Sequence, residues 1–264
     1  MRYLGFLLLS LWTGSHAAHS RRRVVSSSRR STPVYDRSVT TWDPSGRLLQ
    51  VEYGIEAADR GGTVCAVVVG KTVYVLVAGG MDKVHRLDEY LWMFTSGLIG
   101  DAQALASNMR VTCQKHRLSY GEPMMVSETA LAIADLHHEL TRTAGARPLG
   151  CTSLVLGVDR AVALYRTDPG GNLQEASYAA IGEGQLDVMR VLEESYEDLR
   201  ALGDDTSSVW TKLLPLLQPV MQGELDGWMV QLLAYRACKT TCFRSISSEG
   251  GIAKVKDEYF SSSS

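Results

Sequence analysis

The chain has 264 residues, 45% of them hydrophobic, and a formal net charge of −2, which is enough apolar material for a sizeable core. Six of its 27 basic residues fall in positions 1–34, where there is no acid, so 21 remain against all 29 acids in the body, a balance of −8. A mildly acidic body argues against nucleic acid as the main partner, because phosphate contacts need clustered Lys and Arg.

The N-terminus reads first as a leader. Residues 1–18 carry Arg2, an apolar run over 4–12 and then small residues, with Ser15 and Ala17 spaced as at a cleavage site. That is the layout of a secretory signal peptide, and the run is too short to span a bilayer. Residues 19–33 are basic, Ser-rich and free of acids, which is transit-peptide composition. Together they predict bipartite targeting, as into a plastid of secondary origin; the alternative is a disordered tail or an upstream start-codon artefact. Either way the leader is expected to stay out of the fold.

After it comes a polar stretch, then a turn at Asp43-Pro44-Ser45-Gly46, with Pro at the position that wants φ near −65°. The spacing of Leu48, Val51, Ile55 and Ala58 predicts a short amphipathic helix, stopped by Gly61-Gly62. Two Val-rich runs, TVCAVVVG and TVYVLVAGG, read as a hairpin about Gly70-Lys71, covered on both faces. Two short strands follow in DKVHRLDEYLWMFTSG.

Two helices come next. Ala102, Leu105, Ala106, Met109 and Cys113 form a stripe on the first. Leu131, Ala134, Leu136, His138 and Leu140 partly line the second, with Ser127 as its N-cap. CTSLVLGVD and AVALYRTD are strands, and LQEASYAAIG is a third after the turn at Asp168-Pro169-Gly170-Gly171. Two more helices follow, the second kinked or interrupted at Pro215 and Pro219. WMVQLLAYR and TTCFRSIS read as a closing hairpin, and 247–264 as a polar, frayed tail. The five cysteines are odd in number and scattered, unlike a disulfide scaffold. Cys65 and Cys151 sit in apolar runs as small hydrophobes, and Cys238 and Cys242 have no second pair nearby for zinc.

Strands, two helices, strands, two helices, strands: apolar sheets with helix pairs outside them predict an α+β fold. The architecture is a four-layer αββα sandwich of two antiparallel sheets in one domain.

The preamble YDRSVTTWDPSGRLLQVEYGIEAADRGGT resembles the N-terminal signature of proteasome α-type subunits. The match runs through Tyr35-Asp36-Arg37, Pro44-x-Gly46-Arg47, Gln50-Val51-Glu52-Tyr53, Glu56-Ala57 and Gly62. TSGLIGDA, RPLGCTSLVLGVD, LYRTDPGGNL and AAIGEG agree in order, so the resemblance covers roughly residues 34–244. It implies the fold of the N-terminal-nucleophile hydrolases, with 34–62 as the gate segment and helix and 63–246 as the sandwich. It also implies that the helix lies across the cleft that holds substrate in a catalytic β subunit.

Tyr35, Asp36, Pro44 and Tyr53 match the positions that brace the open gate in that family. Lys83 matches the lysine that receives activator C-termini between adjacent α subunits, next to a connection after Ala78 that is shorter than usual. Thr63 follows glycine as a β-type nucleophile does, but a threonine nucleophile needs its own free amine as base. The resemblance places Gly61, not Thr63, at the nucleophile's position and Val77 near the supporting acid's. It therefore implies no catalytic residue, no metal and no cofactor.

The function implied is that of a non-catalytic α subunit of the 20S core, gating entry and docking activators in ubiquitin-dependent protein degradation. Its partners would be other α subunits, β subunits, the regulatory particle or other activators, and unfolded substrates, without nucleic acid or stable membrane insertion. The alternatives are a threonine-type peptidase and a diverged free-standing binding protein. By family the compartment is cytoplasm and nucleus, by leader a secretory or complex-plastid route. RPLGC and HRLSYGEP lean toward different α positions among the seven.

Overall fold

The computed structural model describes residues 35–221, 225–234 and 237–246. The leader and the tail at 247–264 lie outside them.

Helix α1 (Leu49–Asp59) precedes strands β1 (Val64–Val69) and β2 (Thr72–Ala78), a 3-10 turn at Met81–Lys83, and strands β3 (Val84–Asp88) and β4 (Leu91–Gly97). Helices α2 (Ile99–Tyr120) and α3 (Val126–Arg142) follow, then β5 (Cys151–Val158), β6 (Val162–Thr167), β7 (Leu173–Glu175) and β8 (Tyr178–Ile181). Helices α4 (Gln185–Ala201) and α5 (Thr206–Leu217) and strands β9 (Leu225–Ala234) and β10 (Ala237–Ile246) complete the described chain. One sheet has the order β10-β9-β2-β1-β8 and the other β3-β4-β5-β6-β7, each pairing antiparallel.

Side-chain alternation explains why the Val runs are apolar on both faces. In β1 and β2, Cys65, Val67, Val69, Tyr74 and Leu76 face α4 and α5, where they meet Leu192, Trp210 and Leu213. Their neighbours Val64, Ala66, Val73, Val75 and Val77 face the other sheet and pack on Trp92, Phe94, Leu154 and Leu156. Beyond that sheet, Leu91, Met93 and Val155 meet Leu105, Met109 and Ile133 of α2 and α3. The four layers and three apolar seams of the expected sandwich are all present. The Gly70-Lys71 hairpin forms as read, with Val69 paired to Thr72 and Gly70 at φ +57. Cys65, Cys113 and Cys151 are free and buried.

Three local readings need correction. LQEASYAAIG is two strands in different sheets. Ala176 N bonds Leu164 O on one sheet (3.0 Å), while Ser177 O already accepts from Val68 N on the other (2.8 Å), so the chain changes layers at one peptide. The buried face of α3 is Val126, Thr129, Ala130, Ile133, Ala134, His137 and Thr141, and Leu131 and His138 point outward. Two buried threonines and a histidine disguise that face from a search for apolar periodicity. Ser127 does not cap the helix. Met125 N donates to Glu128 (3.1 Å) and Val126 N to Asp159 (2.9 Å), a residue 33 positions on. In α5 the helix runs through Pro215 and ends at Leu217, before Pro219.

Candidate functional site

The preamble is held by its own turn. The Asp43 carboxylate accepts from Ser45 N (2.9 Å) and Arg47 N (2.8 Å), and Arg47 bridges to Asp43 (3.2 Å) and Glu52 (3.0 Å). The Ser45 hydroxyl bond above all, with the Arg47 amide, holds the Asp43 carboxyl down at about 2. Pro44 sits exposed in this turn, which aims the chain into α1.

From α1, Tyr53 OH donates to Asp36 Oδ1 at 2.6 Å, and the Gln50 side-chain amide donates to the Asp36 carbonyl. Asp36 and Tyr53 are thus joined directly, and Tyr35, half-buried, precedes Asp36 in the chain. Gln50 was not among the gate candidates. Its signal was its position three residues before Tyr53, which puts both on one helix face.

The other side of α1 closes the open end of the sandwich against β4 and β5. The approach is close enough that glycines line it, and at Gly97 glycine is required. A Cβ on Gly54 would stand 3.2 Å from Pro148 Cβ; one on Gly150 would stand 2.8 Å from Leu98 Cδ1 and 3.3 Å from Ala57 Cβ. One on Gly97 would stand 2.8 Å from Ala58 Cα and collide with Gly150 O. Polar bonds complete the seal. Ser96 Oγ donates to Gly62 O (3.0 Å), Glu183 N to Gly61 O (2.8 Å), and Gln185 Nε2 to Asp59 (2.9 Å). β4 on one side and the connection from β8 into α4 on the other therefore grip the end of α1.

Thr63 is spent in this seal. It is 5% exposed, its hydroxyl donates to Glu183 O, and its nitrogen is an internal amide. Val77 is buried, on the strand paired with β1, so no carboxylate stands there. A nucleophile without base or orienter has no constellation to act in.

Lys83, at the end of the 3-10 turn, is half-buried. Its ammonium donates to Ala78 O and lies against Gly62 and Gly79. Burial lowers its pKa. An ammonium has three donors, and the Ala78 carbonyl takes one. Among the described residues no group of three or more His, Cys, Asp or Glu could hold a metal ion, and no helix is long and apolar enough to cross a membrane.

A two-sheet αββα sandwich whose open end is filled by its own preceding helix is the N-terminal-nucleophile hydrolase fold in a non-catalytic form. Comparison with known proteins specifies it further. The family described as "Proteasome subunit" matches residues 57–203, and the N-terminal signature of A-type proteasome subunits matches 35–57. A proteasome alpha subunit from Archaeoglobus fulgidus is 38% identical over 174 residues, covering 62% of this chain and 71% of the relative. One from Methanopyrus kandleri is 38% identical over 176 residues (62% and 72%), and one from Methanoregula boonei 39% over 181 (64% and 75%). The chain belongs to the proteasome subunit family and is an alpha-type, non-catalytic member.

Proposed function

We propose that this chain stands in the outer ring of the 20S core, restricts the entry of unfolded protein, and offers a docking face to activators in ubiquitin-dependent degradation. The observation that carries the reading is α1 itself. One face fills the cleft, and the other holds the preamble through Tyr53–Asp36 and Gln50. A segment fixed to the sealed end of the sandwich can open or obstruct an axial passage, whereas a cleft so filled cannot hold a peptide.

Ring closure needs adhesive flanks. Large exposed apolar side chains gather at both ends of α2: Leu98 and Ile99 at its start, Leu118 and Tyr120 at its end, with Met125 just before α3 and Leu131 within it. These are the surfaces proposed to meet neighbouring subunits.

In particles reconstituted with this chain, Tyr53→Phe removes one hydrogen bond to a carboxylate. It is expected to lower activator-stimulated peptide hydrolysis ~5-fold with assembly intact; an unchanged rate would remove the gate role from Tyr53 and Asp36. Tyr35→Ala and Pro44→Ala are expected to move the same rate in the same direction. Lys83→Ala is expected to weaken activator binding ~10-fold, since a terminal carboxylate would lose its ammonium, and undiminished binding would refute the docking role. Size-exclusion chromatography separates a ring from a lone species near 28.9 kDa, which would instead mean a free-standing binding protein.

For compartment, we propose cytoplasm and nucleus, as the family implies, with the leader's secretory or plastid-type route as the rival. Fluorescent fusions with and without residues 1–33 discriminate them, because only a working leader makes the two distributions differ.

A further inference from the structure

The loop beneath α1 has no secondary structure of its own, yet α1 is fitted to it at close quarters. A Cβ on Gly54 would be in tight contact with Pro148 and in ordinary contact with Leu149 O and Pro169, and Ala57 lies on Gly150. Something must hold 147–150 still, and it comes from α2. Asp101, in the first turn of α2 and 8% exposed, accepts from Gly150 N at 2.9 Å. Its two oxygens also take the Arg147 guanidinium as a fork, at 2.7 and 2.6 Å. One carboxylate thus ties both ends of the four-residue loop to a helix start. Leu98 N adds a bond to Gly150 O (2.8 Å), so the loop is tied on both of its polar sides.

We propose that Asp101 is the positioning residue of α1: by clamping Arg147 and Gly150 it sets the surface on which the helix rests, and with it the place of Asp36 and Tyr53. Asp101 touches neither the preamble nor α1 through these bonds; it acts through the loop. The bidentate, charge-assisted geometry suits this task, because two parallel bonds fix orientation as well as distance. Asp101 is buried while the Arg147 guanidinium reaches it from the solvent side, and the Arg147 hydrogen bonds keep Asp101 ionised by lowering its pKa. The gating consequence rests on the function proposed above; the positioning itself does not.

The test separates them. In the full-length chain, hydrogen exchange is measured for α1 (residues 49–59) and, as internal control, for α4 (185–201). Asp101→Asn keeps size and an acceptor but loses the ionic fork. It is expected to speed α1 exchange ~10-fold while α4 is unchanged, because local opening is governed by local contacts. Arg147→Met, which leaves Asp101 on Gly150 N, is expected to act in the same direction with a smaller effect, and it serves if Asp101→Asn fails to fold. Unchanged α1 exchange, or equal acceleration in α1 and α4, overturns the proposal. In reconstituted particles, Asp101→Asn should lower activator-stimulated peptide hydrolysis ~3-fold, with Tyr53→Phe run beside it. If Tyr53→Phe lowers the rate and Asp101→Asn does not, the link from clamp to gate falls. If α1 exchange rises and neither variant changes the rate, the gate reading falls and the clamp stands.

Discussion

Gly97→Ala is expected to cost about 4 kcal/mol or more, read as a collapse of the urea midpoint or as failure to accumulate folded chain. Two costs add. Gly97 has φ +113, where a residue with a Cβ is strained by roughly 1–3 kcal/mol. The new methyl would also meet backbone, not a side chain that could turn away: Gly150 O, Ala58 Cα at 2.8 Å and Cys151 Cα at 3.1 Å. Backbone of α1, β4 and β5 would have to separate together. Gly100→Ala, three residues on, is the control. It lies in α2 with nothing within 4 Å of the added atom, and alanine there should stabilise by up to ~1 kcal/mol. If the two substitutions cost alike, α1 is not packed into the cleft as described.

The second large effect is a loss of stability in acid. His137 is fully buried on α3, and neither ring nitrogen has a hydrogen-bond partner among the described residues. Burial pushes its pKa down to about 4, against the opposing pull of the Asp168 and Asp101 carboxylates that face it. The folded pKa lies below the unfolded value of 6.5, so the unfolded chain takes up the proton first. Stability is complete above pH 6.5 and falls as pH drops toward 4, by about 3 kcal/mol for this group. His85 shifts the same way, chiefly through burial and secondarily through Arg110, opposed by Asp82. It too is pushed down to about 4, so its share is comparable. In His137→Leu the slope of unfolding free energy between pH 6.5 and 4 should fall by up to half, His85 carrying the rest. The variant should also be about 1 kcal/mol more stable at pH 7, since two unpaired buried nitrogens are gone. An unchanged slope would show that His137 titrates normally in the folded chain.

What could be read in the sequence was what lies close in the chain. The Val runs, the Gly70-Lys71 hairpin, the Asp168 turn and the α2 stripe are all set by neighbours two to four residues apart, and they appeared as expected. The preamble carried its family signature in order, so Asp36 and Tyr53 could be nominated before their bond was seen. What escaped was set by distance. Asp159 caps α3 from 33 residues away, and Asp101 reaches Arg147 across 46; neither pairing leaves a period or a spacing. The break between β7 and β8 was hidden because Leu173, Gln174 and Glu175 are all exposed, so that strand has no buried alternation to mark its end. The true face of α3 was hidden because His137 and Thr129 are polar by type and interior by position.

The occupied cleft also bears on what the chain could become. Peptide cutting here would require a nucleophile in place of Gly61, severing the chain before it, expelling α1, and placing an acid where Val77 lies sealed between two sheets. No one of these changes helps without the others, and a lone carboxylate at Val77 would by itself destabilise the interior. No single substitution therefore leads from this filled cleft to a peptide-cutting one: the helix that seals the sandwich stands between the chain and catalysis as several linked changes, not one.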